Sequence, residues 1–336
     1  MRVPRRLLIA ATTALLSAAA VGLSACGSDA DAATGDPGGA VLKLQDPGNA
    51  GPLAYAKREG ILEKRLAAVN AKVEWGGSYA SFTATADAVH AGSVNVLAGA
   101  ISPVLGYLAN SKDIRVFAVT DPVTDAAAPQ TDGLVVAADS PIKSVADLVG
   151  KRVAVNKGGR GEYLLLLALQ QANIPVDQVE RVYLGLDQAA SAFATGKVDA
   201  WWAIVNAYPQ VVAKGARVLV HGRDLPDQDL SIVAARLELL QQHPEAVKVY
   251  LDVLRELTQQ AKQEPEKFQN VFLQQGPTAV TGDRLRLEIE KTRYAQVPRL
   301  VTDADGAAVT SVSDLFARYG VVKDKVAPAD VFLVLS

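Results

Sequence analysis

Short apolar runs alternate with helical patterns along most of this chain. Residues 41–44, 71–75, 94–97 and 114–119 have strand length and β-type composition. Between them, residues 53–59, 82–90 and 103–109 read as helices, with Pro52 at a first helical position and Gly92 as a stop. This alternation predicts parallel strands joined by crossover helices. Residues 133–137 read as a crossing, and Ser140-Pro141 opens a second series. Its strands are predicted at 151–155, 179–184, 198–204 and 217–220, its helices at 162–172 and 188–194, the second capped by Asp187. Ser144 to Asp147 has capping-box spacing, and Gly150 closes that short helix. After a strand at 231–235 the pattern changes to amphipathic helices at 245–262, 265–274, 282–294 and 312–319. The order predicts two α/β lobes joined by crossing strands: residues 40–131 with 233–336, and residues 132–232.

The first 39 residues follow other rules. Arg2, Arg5 and Arg6 precede an uncharged apolar run from Leu7 to Val21, too short to span a bilayer and suited to a signal segment. Leu23-Ser24-Ala25-Cys26 resembles the bacterial lipobox. Residues 1–25 are therefore expected to be a removable signal and Cys26 the lipid-bearing first residue of the mature protein. Residues 26–39 read as a flexible tether. Cys26 is the chain's single cysteine, which leaves no internal disulfide, Cys-based zinc site or CxxC pair.

Charge narrows the function. The formal value is −2, and loss of the three leader arginines leaves 31 basic against 36 acidic side chains, or −5. That argues against nucleic acid as a partner. After the leader no apolar run reaches membrane-spanning length.

Catalytic motifs fail. Gly196-Lys197 lacks the remainder of a phosphate-binding loop, and His90, His221 and His243 are isolated from one another. Gly76-Gly77-Ser78-Tyr79-Ala80 approximates a nucleophile elbow, yet a serine in such a turn serves more often as a turn residue or ligand contact. The informative segments follow strands, where open α/β sheets bind ligands and helix N-termini favour anions. They are residues 45–50, 98–102, 156–161 and 185–187. The third combines glycines with Lys157 and Arg160, and a guanidinium fork suits oxyanions; the alternative is a basic pair facing water. On a strand Trp201 and Trp202 would point to opposite faces, so that one could line a cleft while the other packs in a core, or both lie in cores.

Gly48-Asn49 with the helix Leu53 to Arg65, Ser140-Pro141-Ile142, Asp147 to Val155, Asn156-Lys157-Gly158-Gly159 and Gly196 to Trp201 resemble a known family. It is the ABC-transporter solute-binding proteins of the aliphatic sulfonate, taurine and nitrate group. The resemblance implies a type II periplasmic-binding-protein fold with a ligand cleft between hinged lobes, and no catalysis or cofactor. It implies ligand contacts at Asn49, Ala50, Ser78, Tyr79, Ala100, Ser102, Gly158, Gly159 and Arg160, with Asp187, Trp202, Asn206 and Tyr208 nearby. The implied partners are a small organic anion such as a sulfonate, an ABC permease with its ATPase, and the outer face of the cell membrane through the lipid on Cys26. The implied state is a monomer. Departures occur at Asp46-Pro47, at Gly159-Arg160-Gly161 and at Val205-Asn206-Ala207. They keep nitrate, taurine, a pyrimidine or an aromatic acid open as ligands, and an enzyme on the same fold as a rival reading.

Overall fold

A computed structural model describes residues 39–79, 81–274 and 279–335. The expected signal, Cys26 and the tether through residue 38 lie outside them. Residues 39–336 form one compact unit.

The first stretch runs β1 (Ala40–Leu44), α1 (Pro52–Glu59), α2 (Ile61–Ala67), β2 (Ala71–Trp75), α3 (Phe82–His90), β3 (Val96–Ala100), α4 (Ile101–Leu108) and β4 (Ile114–Thr120). The second runs β5 (Asp132–Val136), β6 (Arg152–Val155), α5 (Arg160–Gln171), β7 (Glu180–Tyr183), α6 (Leu186–Ala194), β8 (Ala200–Ile204), α7 (Ala207–Ala213) and β9 (Arg217–His221). The chain returns through β10 (Ser231–Arg236), α8 (Leu237–Gln242), α9 (Pro244–Gln263), α10 (Gly282–Arg293), β11 (Arg299–Leu300), α11 (Gly306–Arg318) and α12 (Pro328–Val331).

Local chemistry explains the boundaries. Pro52 opens α1, and Gly60 closes it in the left-handed conformation that glycine adopts without a Cβ clash. The side chains of Ser144 and Asp147 complete the predicted capping box. Asp187 does not cap α6. That helix starts two residues earlier, at Leu186, with Gly185 as its cap residue, whose N–H donates to Gln188 Oε1 at 3.3 Å.

Among the described residues the strands form three sheets: β1 with β2, then β11-β4-β10-β3, then β7-β6-β8-β5-β9. β6 is parallel to β7 and to β8. β5 runs antiparallel to β8 and β9, and β10 antiparallel to β3 and β4. The expected parallel pairing is thus corrected at β5 and β10, which follow the crossings, and at β11, which runs antiparallel to β4. Each enters its sheet from the opposite end, so it runs against its neighbours.

Residues 265–274 do not form a helix. A single 3-10 turn ends at Phe268, and Asn270 takes a positive φ of 50°. Asn49 Oδ1 then accepts the N–H groups of Phe272 and Leu273, at 2.7 and 3.0 Å. These bonds draw the backbone out of a helical ladder.

One apolar core joins Ile101, Leu105, Val309 and Phe316 to Tyr163, Leu165 and Trp202 of the β5–β9 side. Tyr163 meets Phe316 edge to face at 6.2 Å between centroids. Trp201 packs on the opposite face, with Val135, Ala154 and Ala203. The predicted alternation of Trp201 and Trp202 holds, and both are buried.

Candidate functional site

Because β6, β7 and β8 are mutually parallel, the segments that follow them emerge at one end of their sheet. The segment between β6 and α5 is folded by its own side chains. Asn156 Oδ1 accepts the N–H of Gly161 at 3.0 Å, and a side chain on Gly159 would collide with the Asn156 amide. Gly158 donates its N–H to Glu162 Oε2 at 2.7 Å. Glu162 is fully buried, and its other oxygen accepts bonds from Arg181 and the Tyr183 hydroxyl, both at 2.7 Å. The start of α5, expected to offer donors to a ligand anion, therefore holds a carboxylate of the protein. The loop faces α4: a Cβ on Gly106 would stand 3.9 Å from the Gly158 carbonyl.

The start of α4 is filled in the same way. Ser102 donates both its N–H and its hydroxyl to Asp229, each at 2.7 Å. Asp229 lies in the crossing that returns to β10. Its carboxyl is pushed up to about 6, because burial outweighs the attraction of Arg160 and the bonds from Ser102.

Arg160, the first residue of α5, reaches three aspartates. Its Nε donates to Asp132 Oδ2 at 3.0 Å and its Nη2 to Asp227 Oδ2 at 2.7 Å. Its Nη1 donates to the Asp229 carbonyl at 3.4 Å and lies 3.6 Å from that residue's carboxylate. Burial disfavours the guanidinium charge, but Asp132, Asp227 and Asp229 more than offset it and raise its pKa. The aspartates are themselves anchored. Asp132 Oδ1 accepts the N–H of Gly222 at 2.9 Å, and Asp227 Oδ1 that of Asp229 at 2.8 Å. Arg160 was expected to stand open to an oxyanion. Here one positive charge already meets three negative ones.

Beside this cluster lies a cavity of about 660 Å³, between the crossing segments 120–132 and 222–231. That volume suits a small organic molecule. Its wall includes Ala100 and Arg160, which sequence reasoning named, and Asp132, Asp227, Asp229 and Arg223, which it did not. Lys291 and Tyr294 close another side.

The other expected contacts lie off this wall. Asn49 ties its loop to residues 272 and 273, as described. Ala50, Ser78, Asp187 and Asn206 are exposed, and Tyr79 is half-buried against the shared core. Gly158 and Gly159 shape the start of α5, and Ser102 sits buried behind Asp229. Trp202 is buried, with its Nε1 unbonded among the described residues. The Tyr208 hydroxyl pairs with His221 Nδ1 at 3.2 Å. Val205, between β8 and α7, is 53% exposed at a φ of 45°, which a β-branched residue rarely adopts. The missed aspartates had one visible trace, the three acidic residues crowded into positions 224–229 ahead of a strand.

The family described as NMT1/THI5 like matches residues 79–268. An Escherichia coli (strain K12) protein named for binding aliphatic sulfonates is 34% identical over 187 residues, which cover 55% of this chain and 56% of that protein. This chain thus spans little more than half the length of that relative. The alkanesulfonate-binding protein SsuA of Xanthomonas axonopodis pv. citri, solved with MOPS bound, superposes with a TM-score of 0.73 at 21% identity, covering 90% of this chain and 100% of that one. The desulfurization enzyme DszB superposes with a TM-score of 0.53 at 17% identity, over 88% and 96%. At such identities these structures establish the fold: an α/β periplasmic-binding-protein fold with mixed sheets, which binding proteins and an enzyme share.

Proposed function

We propose that this chain, which belongs to the NMT1/THI5-like family, is the solute-binding component of an ABC importer and captures a small organic anion of the sulfonate type. Residues 40–131 with 233–336 act as one lobe and residues 132–232 as the other. The observation that carries this reading is the 660 Å³ cavity at the two crossings, walled by residues from both sides of them. A ligand seated there touches both lobes at once. It binds the closed arrangement more tightly and shifts the population toward it. The name of the Escherichia coli relative supports a sulfonate. Relatives named as binding proteins support a receptor over an enzyme, and Ser78, the one candidate nucleophile, is off the cavity wall. Export with a lipid on Cys26 would hold the receptor beside its permease.

Calorimetry of the exported protein in mild detergent tests the ligand. A C2–C6 alkanesulfonate series should bind with dissociation constants near the micromolar range, about 8 kcal/mol. Absence of heat across the series would remove the sulfonate. Mass spectrometry of the mature N-terminus tests the lipid, which Cys26→Ala should abolish.

One observation favours a second reading. The Arg160 charge is more than cancelled by Asp132, Asp227 and Asp229. A neutral or protonated head group, such as a pyrimidine, suits that part of the wall better than an anion does. Tighter binding of aminopyrimidines than of alkanesulfonates would establish it.

A further inference from the structure

We infer that Arg223 is the residue that takes the ligand's anionic group. This rests on the reading of the cavity as a solute site, and it follows from how each cation on the wall is engaged. Arg160 is committed to three aspartates. Lys291 Nζ stands 3.0 Å from Glu288 Oε2. Arg223 differs from both. Its Nη1 donates to the Ala126 carbonyl at 3.0 Å and its Nη2 to the Ala128 carbonyl at 2.6 Å. Among the described residues, no carboxylate lies within ion-pair distance of it. Carbonyls hold a guanidinium without cancelling its charge, so Arg223 brings a net positive charge to the wall.

The alternative anion holders are taken. Ser102 at the start of α4 already donates to Asp229, and Gly158 at the start of α5 to Glu162. An anion approaching either helix start would meet a carboxylate first. Among the described residues Lys157 has no carboxylate partner either, but it lies off the cavity wall, its Nζ 5.6 Å from the centre of the Tyr183 ring.

Arg223 is also prepared for the task. A guanidinium carries five N–H donors in a plane, so its Nε–H and one N–H on each terminal nitrogen stay available. Two carbonyl bonds fix that plane before a ligand arrives, which lowers the ordering cost of binding. The residue stands in the returning crossing and grips the outgoing one at Ala126 and Ala128. An anion on Arg223 therefore binds where the two crossings are joined.

The test pairs pentane-1-sulfonate with its uncharged sulfonamide, by calorimetry on the exported protein. Arg223→Gln should weaken the sulfonate about 10- to 100-fold, the range expected for lost bonds to a charged group, and leave the sulfonamide unchanged. Arg223→Lys should recover part of the loss. The inference is overturned if Arg223→Gln binds the sulfonate as wild type does. It is overturned equally if both ligands weaken in parallel with a fall in Tm, since that marks a structural clamp. Pentanoate separates this inference from the sulfonate reading. Wild type that ignores the sulfonate but binds pentanoate through Arg223 keeps the anion subsite and discards the sulfonate. Wild type that binds neither discards both.

Discussion

Asp229 accepts two hydrogen bonds from Ser102, one from the backbone N–H and one from the hydroxyl, each at 2.7 Å. The same carboxylate faces Arg160 at 3.6 Å. The start of α4 and the start of α5 are thereby tied to one buried residue in the returning crossing. The cost of burying that charge is divided between a helix N-terminus and a guanidinium, and it is not fully met, as the raised Asp229 pKa records.

This arrangement sets a pH dependence. Asp229 titrates near 6 in the folded protein against an ordinary 3.8, with burial as the main cause. Between those values the folded state keeps the proton and the unfolded chain has released it. The group's contribution to stability is therefore largest at or below pH 4 and declines as pH rises through 6, by about 3 kcal/mol in all. Urea unfolding of wild type and Asp229→Asn from pH 4 to 7 should show the difference in favour of wild type falling by that order. A constant difference would refute it. Asp305, held at about 2 chiefly by its bonds to Arg299, acts in a separate window, because its stabilisation is lost only as pH falls below 3.8.

Arg160→Met should be costly near neutral pH. It leaves Asp132, Asp227 and Asp229 facing one another without a counter-charge, a loss of about 3 kcal/mol. Acid should narrow the gap, as the buried Asp229, already raised to about 6, takes up a proton. Chemical unfolding at pH 5 and pH 7.5 measures both effects, and a variant as stable as wild type at pH 7.5 contradicts the assignment.

Glu162→Gln should be read through Tyr183. That hydroxyl is pushed up to about 12, first by burial and then by its bond to the Glu162 carboxylate. With glutamine in place, ultraviolet titration near 295 nm should find Tyr183 titrating at lower pH than it does in wild type. Arg181 also loses its buried partner, at a cost of about 1–3 kcal/mol. An unshifted tyrosine titration would show that Glu162 does not act on Tyr183.

Val205→Gly should stabilise the protein. A branched side chain at positive φ costs about 1–2 kcal/mol, and this one is 53% exposed, so little packing is forfeited. Thermal unfolding should rise by a few degrees. A lower melting temperature would mean that the side chain packs in solution.

Where local rules decide, the elements were legible. β2 and α3 occupy the predicted residues, and Ser144 with Asp147 form the predicted box. Residues 265–274 failed because Asn49, more than 200 positions away, captures the N–H groups of Phe272 and Leu273. The helical periodicity of that segment carries no record of such a partner. For the site, the loops after strands were the correct places to look, and Ala100 and Arg160 do reach the cavity. The electrical state of Arg160 was not legible, because its partners Asp132 and Asp227 stand 28 and 67 positions along the chain.

By itself the sequence determined the alternation of strands and helices and the chemistry available at each loop, whereas residues 133–136, read as part of a crossing, belong to β5. The first two depend on neighbours within a few residues, where side-chain period, capping and glycine act. Tertiary structure alone decided which charges are spent. It set Asp229 and Glu162 against two helix starts, surrounded Arg160 with aspartates, and placed Arg223 on the carbonyls of Ala126 and Ala128. Charge pairing falls off over a few ångströms in space and takes no account of distance along the chain.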